Sequence, residues 1–293
     1  MMRLDIFLAQ KTGLPRNQVR KMIERGNVRL SGKVVIKPSH RVSGSEPVDY
    51  VLPAPTSAEL RPEAIPLDIL YEDDAIAVVN KPAGLVVHPG AGHTSQTLVN
   101  ALLARYGSLP EGSEPNKPGI VHRLDKGTSG CLMVARTAAA MQILLGQFKN
   151  RQVEKKYLAL VVGRLAATGS INKPLGRHPK IRQKISSHTR KGKEALTEWK
   201  VLERFGDDYS WIEVKLHTGR THQIRVHFAE NGHPVVGDPT YSRRKAHSDW
   251  ISRPSLHAWR LGFFHPVTNE KISFEAPLPQ DLHLLLQKLG KRS

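Results

Sequence analysis

The chain has one cysteine among its 293 residues. A single thiol excludes an internal disulfide and any cysteine-based zinc site. Long apolar runs are missing too: none approaches the ~18 residues that a membrane-spanning helix needs. No basic amphipathic helix stands alone at a terminus to lie on a membrane surface. The opening Met1-Met2-Arg3-Leu4-Asp5-Ile6 has no signal-peptide apolar core, so a reduced, cytoplasmic setting without membrane attachment is expected. Acidic residues are scarce, 26 against 44 lysines and arginines, which leaves a formal charge of +18 and an isoelectric point of about 10.1. An excess of that size speaks of partners rather than of fold, and a polyphosphate is the partner it fits.

This length accommodates one large domain, or a large one with a small one. Pro53, Pro55, Pro62 and Pro66 punctuate a stretch with little hydrophobic periodicity, which predicts a semi-extended linker over 53–66 between a small domain at 1–52 and a large one at 67–293. The small domain carries ten lysines and arginines against four acids. Helices are expected at 4–9 and 16–23. The second has Val19, Met22 and Ile23 on one face, with Arg16, Arg20 and Lys21 elsewhere. Gly26 would end it. Val28-Arg29-Leu30 and Lys33-Val34-Val35, joined by Ser31-Gly32, carry a hairpin signal.

From residue 67 strands and helices alternate with no dinucleotide fingerprint. Strands are expected at 75–79, 85–88, 131–135, 156–162, 196–202 and 211–216, and helices at 138–150, 222–230 and 282–289. The class is α+β, with a mixed and largely antiparallel sheet. Between Lys155 and Lys193, eleven lysines and arginines stand without one aspartate or glutamate. The centre of that block, Gly176-Arg177-His178-Pro179-Lys180 and onward, is too broken by glycine and proline for a regular helix. An uncompensated run inside a folded domain repels itself, which favours a loop that faces RNA.

The most informative residues are His122-Arg123-Leu124-Asp125-Lys126-Gly127-Thr128-Ser129-Gly130. They set Asp125 beside an arginine, in a turn-prone loop, just before the apolar run Cys131–Ala135. A carboxylate next to a fixed cation stays ionised, and with a free face it can act as a nucleophile. A salt-bridged loop aspartate is the plainer alternative. Four segments stand beside this one. Lys81-Pro82-Ala83-Gly84-Leu85-Val86-Val87-His88-Pro89-Gly90 has glycines but no lysine-serine ending, so it is not a phosphate loop. Lys155-Lys156-Tyr157 opens a strand. Thr218-Gly219-Arg220-Thr221-His222-Gln223-Ile224-Arg225-Val226-His227 follows a strand and opens a helix. Gly232-His233-Pro234-Val235-Val236-Gly237-Asp238-Pro239-x-Tyr241 is a tight loop. His222 and His227 are five apart, the wrong spacing for a helical metal pair, so no metal is expected. Cys131 reads as a small buried hydrophobe, and Trp211 and Trp259 as core.

In this order and spacing the five segments resemble the RluA family of pseudouridine synthases, over residues 67–275. Asn80-Lys81-Pro82, the Gly-Ala-Gly at 90–92 and the small first domain place the resemblance in the RluD-like branch, which modifies large-subunit ribosomal RNA. Residues 1–52 resemble an S4-type RNA-binding domain through Arg3-Leu4-Asp5, Arg20-Lys21-x-Ile23-x-x-Gly26-x-Val28 and Asn27–Lys33.

The resemblance implies the pseudouridine synthase fold and the isomerisation of specific uridines in 23S ribosomal RNA, at the helix-69 stem-loop, by a monomer without metal or small-molecule cofactor. A transfer-RNA substrate, or a catalytically idle RNA-binding factor in ribosome assembly, stay open as alternatives. Asp125 would be the catalytic aspartate, attacking C1′ or taking a 2′ proton, and Arg220 would pair with it. Tyr157 would stack on the uracil and assist C5 deprotonation. Arg123 would fill the gap left by the flipped uridine. His122, Arg20, Lys21 and Arg177 would be further RNA contacts, and Arg225 a phosphate or structural arginine. The loop at 241–250 matches no motif and would tune which RNA is bound.

Overall fold

The computed structural model describes residues 2–14, 16–44, 46–52, 60–90, 93–112, 116–181, 184–189, 191–242 and 250–291. The chain divides into two compact units, Met1–Glu59 and Leu60–Ser293. Pro53 and Pro55 of the expected linker, two residues of the Gly-Ala-Gly run (Ala91 and Gly92) and most of the 241–250 loop lie outside the described residues.

In the first unit the order is β1 (Met2–Arg3), α1 (Leu4–Thr12), α2 (Arg16–Glu24), β2 (Val28–Leu30), β3 (Lys33–Val34), β4 (Arg41–Val42) and β5 (Val48–Tyr50). Strands β3, β2 and β5 form an antiparallel sheet, and β1 pairs with β4. The expected apolar face of α2 is buried: Val19, Met22 and Ile23 pack on Leu4, Leu8, Val28 and Leu30. Ser31 and Gly32 both take positive φ, 47° and 80°, the geometry of a two-residue hairpin turn. Asp5 is fully buried in this unit, where Arg3 and Arg16 hold it at 3.0 and 2.9 Å. The hydrogen bonds from Arg3 pull its carboxyl below the usual range against the effect of burial. Arg16 is thus partly an internal counter-ion and not simply a solvated cation.

The second unit begins with residues 60–66. They do not hang as a linker but lie along the second unit, with the Asn100 side chain donating to the Arg61 carbonyl (2.8 Å) and the Glu63 amide to the Asn100 carbonyl (3.0 Å). The elements are β6 (Asp68–Glu72), β7 (Ile76–Lys81), α3 (Leu98–Tyr106), β8 (Ser129–Ala135), α4 (Ala138–Lys149), β9 (Glu154–Val162), β10 (Thr168–Asn172), β11 (Gly176–Arg177), β12 (Ile185–Ser186), β13 (Leu196–Phe205), β14 (Tyr209–Leu216), α5 (Gln223–Glu230), β15 (Leu256–Phe264), β16 (Lys271–Glu275) and α6 (Gln280–Gly290). One nine-stranded sheet runs β10-β13-β14-β9-β15-β8-β7-β6, with β16 on β15. Its pairings are antiparallel except β15 with β8, so the sheet is mixed and largely antiparallel.

Both faces are covered at the centre of this sheet. In β8 every residue is buried, and alternate side chains serve opposite cores. Cys131 and Met133 pack with Met141 and Leu144 of α4. Leu132 and Val134 pack with Leu98 and Leu102 of α3. Strand β9 repeats the pattern: Ala159 and Val161 meet Ile224 and Phe228 of α5, while Leu160 meets Leu282 and Leu285 of α6. Tyr157 packs against the clusters of both α3 and α5.

The strand expected at 85–88 does not form. Val86 and Val87 instead give their carbonyls to the Leu98 and Val99 amides (2.8 and 3.0 Å), satisfying donors that the first turn of α3 leaves unpaired. A capping box of Thr97 and Asn100 completes that helix start. The acid-free block is a short hairpin at its centre, β11 against β12.

The parallel seam between β8 and β15 explains one glycine. Gly130 has φ 110°, and a Cβ there would lie 2.2 Å from the Ala258 carbonyl oxygen. Both conformation and space demand glycine. We expect Gly130→Ala to destabilise the second unit by roughly 3 kcal/mol; a denaturant midpoint equal to that of the unsubstituted protein would show the seam to be looser than this.

Candidate active site

Asp125 is held at the sheet by two devices that precede any chemistry. Its carbonyl accepts the Thr128 amide at 3.0 Å, which closes the turn into β8. Beneath the same turn lies Lys81, the last residue of β7, fully buried despite its charge. Its ammonium donates to the carbonyls of Pro82, Leu85 and Lys126, at 2.7, 2.9 and 3.4 Å. Burial, with Arg253 adding to it, pushes that ammonium down to about 7. Lys81 thus ties the 82–85 turn to the residue after Asp125.

The carboxylate of Asp125 faces α5. Arg225 donates from Nη1 to its Oδ2 at 3.0 Å. The other edge of the guanidinium is engaged by Asp238, with Nε to Oδ2 at 2.7 Å and Nη2 to Oδ1 at 2.9 Å, and Nη2 also reaches Thr240 Oγ1 at 3.1 Å. Burial works against the charge of Arg225, and Asp238 and Asp125 outweigh it, so its pKa is raised. The guanidinium carbon sits 5.2 Å from the centre of the Tyr241 ring, a cation–π contact. The Tyr241 hydroxyl lies 2.8 Å from His222 Nδ1. His222 occupies the left-handed backbone region (φ 56°) just before α5, and its Nε2 is 3.9 Å from Asp125 Oδ1. Burial lowers the His222 pKa, with Asp125 opposing, and at 3.9 Å its Nε2 is too far from that oxygen to hydrogen-bond to it.

The pairing expected between Asp125 and Arg220 is not formed. Arg220 lies in the loop before α5, where its amide donates to Gln223 Oε1 and its Nε to the Glu194 carbonyl at 2.9 Å. Arg225, in the first turn of the helix, is 6 % exposed and supplies the cation instead.

Asp125, Tyr157, Arg220 and Arg225 line one cleft of about 520 Å³, a size suited to a small ligand or a single nucleotide. Burial, and then the charge of Asp125, raise the Tyr157 phenol, so it stays protonated at neutral pH. Arg123 is exposed at the same cleft, and no hydrogen bond or ion pair to a described residue holds its guanidinium. His122 lines the wall, but its Nε2 accepts the Met133 amide at 2.9 Å and its ring stacks on Phe148. Burial pushes it down to about 3, so it is neutral at working pH and anchored to β8. Lys155, pushed down to about 8 by burial and by Arg220, completes the rim.

The other expected RNA contacts lie elsewhere. Arg177 sits on β11 beside a surface hollow that it shares with Lys191, outside the Asp125 cleft. Arg20 and Lys21 are exposed on α2 of the first unit, Arg20 near Glu24 at 3.7 Å. Reading by sequence gave no role to Asp238 or Tyr241 and passed over the proximity of His222 to Asp125. A signal was there: an aspartate set between Val235-Val236-Gly237 and a proline is placed for burial, and a buried charge needs a partner.

A family model described as RNA pseudouridylate synthase matches residues 75–230, and one described as S4 domain matches residues 2–48. An uncharacterized RNA pseudouridine synthase of Bacillus subtilis is 44 % identical over 99 % of this chain and 94 % of its own length. The ribosomal large subunit pseudouridine synthase D of Xanthomonas campestris is 41 % identical over 99 % of this chain and 90 % of its own. The structure of the human RNA pseudouridylate synthase domain containing 1 protein is 31 % identical, covers 81 % of this chain and 97 % of its own, and superposes with a TM-score of 0.59.

The two arginines are separable by stability alone. Arg225→Met leaves Asp125 and the buried Asp238 without their shared cation, and we expect it to cost about 3–5 kcal/mol. Arg220→Met, which removes one partly exposed contact to a carbonyl, should cost less than about 1.5 kcal/mol. Denaturant unfolding at neutral pH measures both, and equal losses would contradict the assignment.

Proposed function

The chain belongs to the RNA pseudouridylate synthase family, and from that premise we propose that it converts specific uridines of large-subunit ribosomal RNA to pseudouridine, with the helix-69 stem-loop as its target. Relatives that carry the name of ribosomal large subunit pseudouridine synthase D, at 39–41 % identity over nearly the whole chain, support that choice of RNA. The S4 domain and the +18 charge support an extended grip on phosphate. The protein would act in the cytoplasm, as a monomer.

The single observation that carries the site reading is the Asp125–Arg225 pair facing the cleft that Tyr157 lines. In the isomerisation the N1–C1′ bond breaks, the uracil turns, a C5–C1′ bond forms, and the C5 proton leaves while N1 gains one. No electron donor or transferred group takes part. Arg225 holds Oδ2 of Asp125, and Oδ1 is left to work at the sugar, as nucleophile at C1′ or as base toward the 2′ proton. Asp125 is the one acidic side chain among the described residues lining the cleft, which suits rejoining of the base and not the two-carboxylate layout of glycoside hydrolysis. Tyr157, held as a neutral phenol, offers a stacking face to the uracil and not a standing phenolate. Arg123, exposed at the cleft, would enter the gap that the flipped uridine leaves. Arg220 and Lys155, which line the same cleft, would meet flanking phosphates.

Asp125→Asn should reduce pseudouridine formation at least about 100-fold while RNA affinity stays within a few-fold. Tritium release from 5-tritiated uridine RNA reads the first, and filter binding the second. A variant that still turns over at the normal rate removes Asp125 from the mechanism. For the substrate, pseudouridine mapping in a deletion strain should show loss at large-subunit sites. Loss at a transfer-RNA site with ribosomal RNA unchanged would replace the ribosomal target with a transfer-RNA one.

A further inference from the structure

We propose that Asp238 is a positioning residue of this active site: by taking one whole edge of the Arg225 guanidinium, it leaves a single N–H aimed at Asp125 Oδ2 and keeps Oδ1 open to the substrate. The proposal rests on the reading of Asp125 as the catalytic carboxylate and adds a residue that does not itself meet the RNA.

The geometry is specific at every atom of the carboxylate. Oδ2 of Asp238 accepts Arg225 Nε at 2.7 Å. Oδ1 accepts Arg225 Nη2 at 2.9 Å and the backbone amides of Thr240 and Tyr241 at 2.8 and 3.2 Å. Asp238 is 2 % exposed, so its charge is matched by this guanidinium and these amides and not by water. A guanidinium has five donors in a rigid plane. With Nε and Nη2 fixed on Asp238, the plane has no freedom to rotate, and Nη1 can point only where it does, at Asp125. Without that clamp, Arg225 would be free to form the two-pronged pair with Asp125 that arginine and carboxylate favour. Such a pair would engage both oxygens of Asp125, including the one that the chemistry needs.

The loop is built to deliver this carboxylate. Gly237 turns with φ 74°, and a Cβ there would stand 2.3 Å from the Arg253 carbonyl oxygen. The Asp238 amide closes on the Val235 carbonyl at 3.2 Å. Tyr241, three residues on, lays its ring beside the guanidinium and reaches His222 with its hydroxyl.

Asp238→Asn tests the clamp. The amide oxygen can keep the Oδ1 bonds, but the NH₂ then faces Arg225 Nε, donor against donor, and the guanidinium must tilt. Full-length protein is assayed by tritium release on a large-subunit ribosomal RNA transcript under saturating and limiting RNA. We expect kcat to fall ten- to 100-fold while KM stays within threefold, since no RNA contact is lost. In an Arg225→Lys background, where no fork remains to be oriented, adding Asp238→Asn should lower kcat less than threefold further. Full kcat in Asp238→Asn, a loss confined to KM, or losses that simply multiply in the double variant would each overturn the proposal. Where Asp238→Asn does not fold, Asp238→Glu keeps the charge but displaces it by one methylene. At least a fivefold loss of kcat at unchanged KM supports positioning there, and full kcat overturns it. Asp125→Asn, assayed alongside, keeps the two readings apart. If it remains active the site assignment fails, and if it is dead while Asp238→Asn is fully active only the clamp fails.

Discussion

One guanidinium shared by two carboxylates is the interaction on which the site depends. Arg225 is nearly buried, and so is Asp238, in a place where an isolated charge of either sign would be prohibitively desolvated. Each is tolerable only because the other is there. Around that pair the chain assembles three separate segments: the turn that enters β8, the first turn of α5, and the tight loop after it. A lysine could balance the charge but not the geometry, because an ammonium has no fixed plane with which to address two acceptors in different directions.

Apart from the Arg225 guanidinium, burial works against charge on several groups around Asp125. Tyr157 is retained as a phenol, His122 as a neutral ring bonded to the backbone of β8, and Lys81 is brought near the point of losing its proton while it ties three carbonyls together. Arg123, Arg220 and Lys155 line the same cleft, Arg123 exposed and the other two partly buried. A cleft that combines one carboxylate, a buried phenol and several cations suits a polyanion from which one base enters.

Much of this was legible in the chain and some was not, for physical reasons. A continuous apolar run located β8 because that strand is buried on both faces. The same kind of signal at 85–88 misled, since those residues spend their carbonyls on the start of α3 and not on a strand partner. The choice between Arg220 and Arg225 turned on where the helix begins. Both lie in one motif, but Arg220 falls in the loop before α5, whereas Arg225 falls in a helix buried at every position from Gln223 to Phe228. Charge counting along the chain also missed a long-range compensation. The acid-free hairpin is pinned by Glu230, which accepts the Ser186 hydroxyl at 2.6 Å and the Ser187 amide at 3.0 Å. Linear charge says nothing about acids that arrive from another element.

The position of β15 sets a condition on when the enzyme can exist during its own synthesis. Asp125 leads into β8 on one half of the sheet; Tyr157 lies on β9 in the other half, and Arg225 on the helix packed there. Within the sheet those halves meet only through β15, which carries residues 256–264 of the 293. A nascent chain can finish the S4 unit early, and so acquire its first RNA-binding surface while still being made. Asp125 and Arg225, however, belong to two sheet halves that only that later strand joins within the sheet. The cleft is thus joined within the sheet by a strand made after every residue that it brings together.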